Sequence, residues 1–193
     1  MKNSRKGFTL VELAIVLVII GLILGAILKG QELINNAKMK RLYNMKQEVL
    51  AAIYTYYDKF NAYPGDDPQA KKHLNYTNTK DGNGNGLIEG IITNCTDNSK
   101  ESCALWQHLR LANILSGSGV ANPRNPYGGA VAVGYTNVQG KSANWIMFDN
   151  LPRETARSLD VKYDDGNYKT GSIRSSNNYD DTSKQITDLY FEF

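Results

Sequence analysis

The sequence predicts an α+β protein in which a long N-terminal helix packs on a small, mostly antiparallel sheet. Three observations predict it. An apolar run fills residues 8–28, an apolar stripe at helical spacing continues to Phe60, and short β-favouring segments separated by turn residues occupy 130–193.

The first run is 21 residues long, and Glu12 is its only charge. At about 1.5 Å per residue such a helix spans roughly 31 Å, one hydrocarbon thickness. It is longer than the apolar region of a cleavable secretory signal, and no cysteine follows it as in a lipoprotein signal. Lys2, Arg5 and Lys6 precede it; Lys29, Lys38, Lys40 and Arg41 follow it. Charge alone therefore does not orient the segment. A long downstream domain translocates largely regardless of charge, which gives a cytoplasmic N-terminus and an exported C-terminal domain.

The second stripe comprises Ile34, Ala37, Leu42, Met45, Val49, Ile53, Tyr56 and Phe60, with charged residues between them. Residues 29–60 thus read as the amphipathic continuation of the same helix. YPGDDP at 63–68 is expected to end it, with Pro64 and Gly65 as breakers and Asp66 and Asp67 in a turn or cap. Residues 61–129 read as a connecting region holding one short helix, Ser102–Leu115. In the sheet region, 130–193, AVAVGYT (130–136), NWIMFDN (144–150), KTGSIRS (169–175) and TDLYFEF (187–193) are the strand candidates. A short helix is expected from Pro152 to about Leu159.

The chain carries 22 basic and 19 acidic residues, and removing the three bases before Phe8 leaves it neutral. That gives no case for a nucleic-acid surface. No metalloprotease pair, phosphate loop or nucleophile elbow is present, and His73 and His108 stand apart from any motif. The two cysteines, Cys95 and Cys103, lie eight apart in a polar stretch. They pair as a disulfide in an oxidising compartment and are two thiols otherwise.

Asp81-Gly-Asn83-Gly-Asn85-Gly-Leu87-Ile-Glu89 is the sharpest metal-ligand pattern. Oxygens at alternate positions of a Gly-rich loop can converge on Ca2+, with the Leu87 carbonyl and the Glu89 carboxylate completing the set. The stretch resembles the first nine positions of an EF-hand loop, but Ile92 stands where the bidentate glutamate would be. A short calcium loop ending in an acid, as on some pilus-associated proteins and pseudopilins, is the nearer likeness. A flexible Gly/Asn turn is the alternative. Asp164-Asp165-Gly166 reads as a solvated turn, with a further cation ligand set as the alternative.

Lys6-Gly7-Phe8-Thr9-Leu10-Val11-Glu12-Leu13, followed by the apolar helix, resembles the type III signal of type IV pilins and type II secretion pseudopilins. The resemblance implies a leader at residues 1–7, cleavage after Gly7 by prepilin peptidase, and methylation of the new N-terminal Phe8. It implies a pilin-like fold and a structural, non-enzymatic subunit at the inner membrane. Its partners would be other pilin-like subunits and an assembly platform. Glu12 then matches the glutamate five positions after the cut. Packed in a filament, its carboxylate can pair with the Phe8 ammonium of a neighbour, an attraction strengthened in a low-dielectric bundle. In an isolated anchor it would snorkel to the headgroups. Many relatives carry a helix-breaking proline further along this helix. Here the first proline is Pro64, and Gly21, Gly25 and Gly30 are the weak points.

Overall fold

A computed structural model describes residues 9–193. The elements in chain order are α1 (Leu10–Phe60), α2 (Ala70–His73), α3 (Glu101–Leu111), β1 (Val131–Val138), β2 (Lys141–Pro152), α4 (Arg153–Tyr163), β3 (Ile173–Ser175) and β4 (Ile186–Glu192). The chain divides into an N-terminal unit ending at Lys38 and a compact unit, Met39–Phe193.

α1 is one 51-residue helix. Its N-terminal part is long and apolar enough to cross a membrane by length and composition. It ends at Phe60 because Asn61 takes the left-handed conformation, with φ of 53°, and donates its N–H to the Tyr57 carbonyl. Pro64 and Gly65, the expected breakers, lie beyond that cap. Of the predicted stripe, Leu42, Val49, Ile53 and Tyr56 are buried, whereas Ile34 stays 56 % exposed. Burial along α1 begins at Met39, which packs against the core.

The sheet is fully antiparallel in the order β1-β2-β4-β3. Its register places Val133 opposite Ile146, Ile146 opposite Phe191, and Phe191 opposite Ile173. This apolar line joins Leu42, Val49, Ile53 and Tyr56 of α1 in one core. β4 alternates cleanly, with Thr187, Leu189 and Phe191 buried between less buried residues. β1 and β2 are joined by Gln139 and Gly140, both at positive φ (49° and 84°), as a tight hairpin requires. β2 runs longer than predicted and bends where its register shifts between Phe148 and Leu151. The 169–175 segment contributes only Ile173–Ser175.

α3 is shorter than expected and stops at Leu111. Asn113, at φ of 57°, donates to the Arg110 carbonyl and Ile114 donates to Leu109, a Schellman termination. α4 extends past Leu159 to Tyr163, whose ring stacks on Tyr43 at 3.7 Å between centroids. Trp106 and Trp145 are fully buried core residues. The outer edge of β1 is covered by the connecting region: Tyr135 N–H donates to the Ile88 carbonyl, and Glu89 bridges Tyr135 in parallel. A side chain at Gly134 would collide with the Gly90 carbonyl, so this close approach needs glycine.

Candidate functional site: the helix N-terminus and the 81–89 loop

Gly7 and Phe8, the predicted processing residues, lie outside the described residues. Glu12 lies within them, in the first turn of α1. The Thr9 carbonyl accepts the Leu13 N–H, which makes Thr9 the N-cap. Thr9 Oγ1 accepts the Glu12 N–H at 3.2 Å. The Glu12 carboxylate in turn accepts the Thr9 N–H and the Thr9 hydroxyl, each at 2.8 Å. The pair forms a reciprocal capping box. A carboxylate here also faces the positive end of the helix dipole. Thr9-Leu-Val-Glu12 is the T-x-x-E signature, so the signal for this role was present in the sequence.

Two buried carboxylates outside the 81–89 loop, Asp66 and Glu101, organise its backbone. Asp66 Oδ1 accepts the N–H groups of Gly84 (2.7 Å) and Asn85 (3.2 Å), and Oδ2 accepts that of Gly86 (2.7 Å). Glu101 Oε1 accepts the Asn83 N–H (3.1 Å), and Oε2 accepts that of Glu89 (2.9 Å). Gly84 and Gly86 sit at φ of 73° and 82°, which lets the chain wrap the carboxylate. Gly82 is needed for space, since a side chain there would overlap the Asp66 backbone.

Of the predicted ligands, the structure brings Asn83 and Glu89 together, with Asn83 Nδ2 donating to Glu89 Oε1 at 3.1 Å. Asn83 Oδ1 accepts the Asn85 N–H and Asn85 Oδ1 accepts the Leu87 N–H, two successive Asx turns. Asp81 faces Lys71 instead: its Oδ1 accepts the Lys71 N–H (2.9 Å), and its Oδ2 lies 3.4 Å from Lys71 Nζ.

Behind the loop, Asp67 is fully buried. Its carboxylate accepts the Tyr56 hydroxyl, the Gln69 N–H and His73 Nδ1, each at 2.8 Å. Burial and this carboxylate push the Tyr56 hydroxyl far above its ordinary pKa. Burial raises the Glu101 carboxyl, and the nearby Asp66 and Glu89 charges add to it. His108 accepts the Gly65 N–H through Nδ1 (2.9 Å) and bonds the Lys80 carbonyl through Nε2 (3.0 Å). This fixes a neutral ring, and burial pushes its pKa down to about 4. Cys95 and Cys103 form a disulfide with 5.4 Å between Cα atoms, which ties the 91–98 stretch to the start of α3 two residues past Glu101.

Asp160, Asp164 and Asp165 also cluster, with one carboxylate oxygen from each within 4.8 Å of the others. They act as acceptors inside their own segment. Asp160 takes the Tyr179 hydroxyl and the Gly166 N–H, Asp164 takes the Ile173 N–H, and Asp165 takes the Asn167 N–H and the Thr170 hydroxyl. Asp66 sits in the expected turn, its N–H donating to the Tyr63 carbonyl at 3.1 Å, but the hold of its carboxylate on the loop, and that of Glu101, have no signal in the sequence. Eighteen or more residues separate Asp66 from the amides it binds, and Glu101 is eighteen and twelve residues from its two. No local pattern encodes such a pairing.

No curated protein and no solved structure matches the chain. Residues 2–28 match a family described as the prokaryotic N-terminal methylation motif. Over that N-terminal segment the chain carries the type IV pilin and pseudopilin signal.

Proposed function

We propose that the chain is a pilin-like structural subunit of a type IV pilus or related filament. It is cut after Gly7 by prepilin peptidase, methylated on Phe8, and assembled with other pilin-like subunits through α1. The observation that carries this reading is the methylation motif at residues 2–28 leading directly into a helix able to span a membrane. Before assembly the chain sits once across the inner membrane, its N-terminus cytoplasmic and Met39–Phe193 periplasmic, engaged by an assembly platform. Cleavage leaves the Thr9 N–H an amide, so the capping box with Glu12 survives it. The new Phe8 ammonium then supplies the positive partner for Glu12 of a neighbouring subunit. Mass spectrometry of the protein from cells with prepilin peptidase tests the processing. The expected N-terminus is methylated Phe8, and an N-terminus retaining Met1 contradicts the proposal.

A pseudopilin of a type II secretion system is the second reading, favoured by the likeness of residues 81–89 to a pseudopilin calcium loop. The donor set of Asp81, Asn83, Asn85, Leu87 and Glu89 is all hard oxygen, which suits Ca2+. To bind it, Asp81 must release Lys71 and the Asn83 amide must turn from Glu89. Two carboxylates imply an affinity in the range of extracellular modules. Calcium is expected to raise the melting temperature of the full-length protein in detergent at millimolar concentration, and Asp81→Ala is expected to abolish the shift. No shift, or an equal shift in the variant, removes calcium from the account.

A further inference from the structure

Beside the 81–89 loop lies an open cleft of about 410 Å³, within the range of small-ligand sites. The end of α1 supplies Tyr57 and Phe60, the following loop supplies Tyr63, Asp66 and Asp67, and α2 supplies His73. The lining is chemically one-sided. Among the described residues it places three aromatic rings, two carboxylates and the Asp67-bound imidazole of His73 around the space, and neither lysine nor arginine lines it. Phe60 is already engaged, stacked on His73 at 5.1 Å and approached by Lys59 Nζ at 5.0 Å. Tyr57 and Tyr63 form a tilted pair with centroids 4.9 Å apart, Tyr63 also meets Phe193 edge-on at 6.5 Å, and Tyr57 is the ring most open to a ligand. Tyr57 is 37 % exposed.

From this we infer that the cleft binds an organic ammonium group, free or carried on a lysine side chain. Ring faces attract cations through the aromatic quadrupole, and partial desolvation strengthens that attraction. The carboxylates of Asp66 and Asp67 act from beneath through their field. Their oxygens are already occupied by the loop amides, Tyr56, Gln69 and His73. They therefore favour positive charge nearby, while the side-chain amides of Asn61 and Gln69 in the lining add only neutral dipoles. Phe60 with Lys59 shows the same pairing within the chain itself.

The test uses the full-length protein in a polyoxyethylene-ether detergent, at matched ionic strength, with calorimetry and tyrosine-ring NMR. The probes are choline, N-acetyl-lysine methylamide and methyl glucoside. At least one ammonium probe should bind saturably in the millimolar range and shift the Tyr57 and Tyr63 rings, while the sugar is silent. Tighter binding of the lysine probe identifies a peptide-borne amine, and tighter binding of choline a free quaternary ligand. Tyr57→Ala should weaken binding by about fivefold or more, and Tyr57→Phe, which keeps the ring, should stay within about twofold. Failure of both ammonium probes, binding of methyl glucoside alone, or an unchanged affinity in Tyr57→Ala overturns the inference.

Discussion

The Glu12 carboxylate accepts both the backbone N–H and the hydroxyl of Thr9 at 2.8 Å, while Thr9 Oγ1 accepts the Glu12 N–H. An acid that looks misplaced in a membrane helix is thus chemically satisfied within a single chain. Its local role as a cap and its proposed role between subunits use the same carboxylate, and they are separable. Thr9→Ala removes the capping hydroxyl and should fray the first turn of α1, at a cost of about 1 kcal/mol in helix stability. It leaves the charge of Glu12 in place, so filament assembly should be reduced only modestly. Amide hydrogen exchange at residues 10–13, read beside filament yield, checks both expectations.

Asp66 should matter more to stability than any predicted loop ligand. Its carboxylate holds three backbone amides and is 2 % exposed. Asp66→Ala strands those donors and should cost about 3 kcal/mol or more. Asp81 makes a half-exposed pair with Lys71, and Asp81→Ala without calcium should cost less than about 1 kcal/mol. Urea unfolding of both variants in calcium-free buffer measures the difference, and equal costs would show that Asp66 does not organise the loop.

The Cys95–Cys103 bond closes a short loop beside Glu101. Reduction, or Cys103→Ala, should lower stability by roughly 2–3 kcal/mol through the entropy of the unfolded chain. Thermal melts with and without reductant read this directly, and the Cys103→Ala variant should show no further response to reductant.

His108 predicts an acid-sensitive core. Its folded pKa, about 4, lies below the ordinary value of 6.5, so between the two the unfolded chain binds more protons. Stability from this group is full above pH 6.5 and falls as the pH drops toward 4, by up to about 3 kcal/mol. Protonation would set a proton on Nδ1 against the Gly65 N–H. Glu101 acts in the opposite sense, because its raised carboxyl favours the folded state at lower pH. The measured fall should therefore be smaller than His108 alone would give. The urea midpoint should be lower at pH 5 than at pH 7 in the wild type, and a folded His108→Gln variant should lose that fall.

The long helix, the antiparallel sheet and most strand positions were legible because each is encoded locally, in periodicity or in runs of β-favouring residues. Element ends were less so. Asn61 and Asn113 terminate α1 and α3 by adopting positive φ, which asparagine permits but does not announce. The Gln139-Gly140 turn carries only half of the usual hairpin signature, so the sequence alone does not join β1 and β2 as a hairpin. In the 81–89 loop the residue types suggested ligands, yet its shape is set by Asp66 and Glu101 from distant parts of the chain. Contacts of that kind follow from the packing of α3 and the 63–68 turn and have no sequence pattern of their own.

In the proposed filament the charge of Glu12, and not its cap, drives assembly. Glu12→Gln separates them, since glutamine also completes a capping box but cannot pair with an ammonium. The measurement is filament yield in Glu12→Gln beside wild type and Glu12→Ala, with membrane insertion of each monitored by fractionation. Normal insertion of all three is expected, with an assembly defect in Glu12→Gln as deep as that in Glu12→Ala. Filaments at the wild-type level in Glu12→Gln would contradict this and leave Glu12 as a helix cap alone.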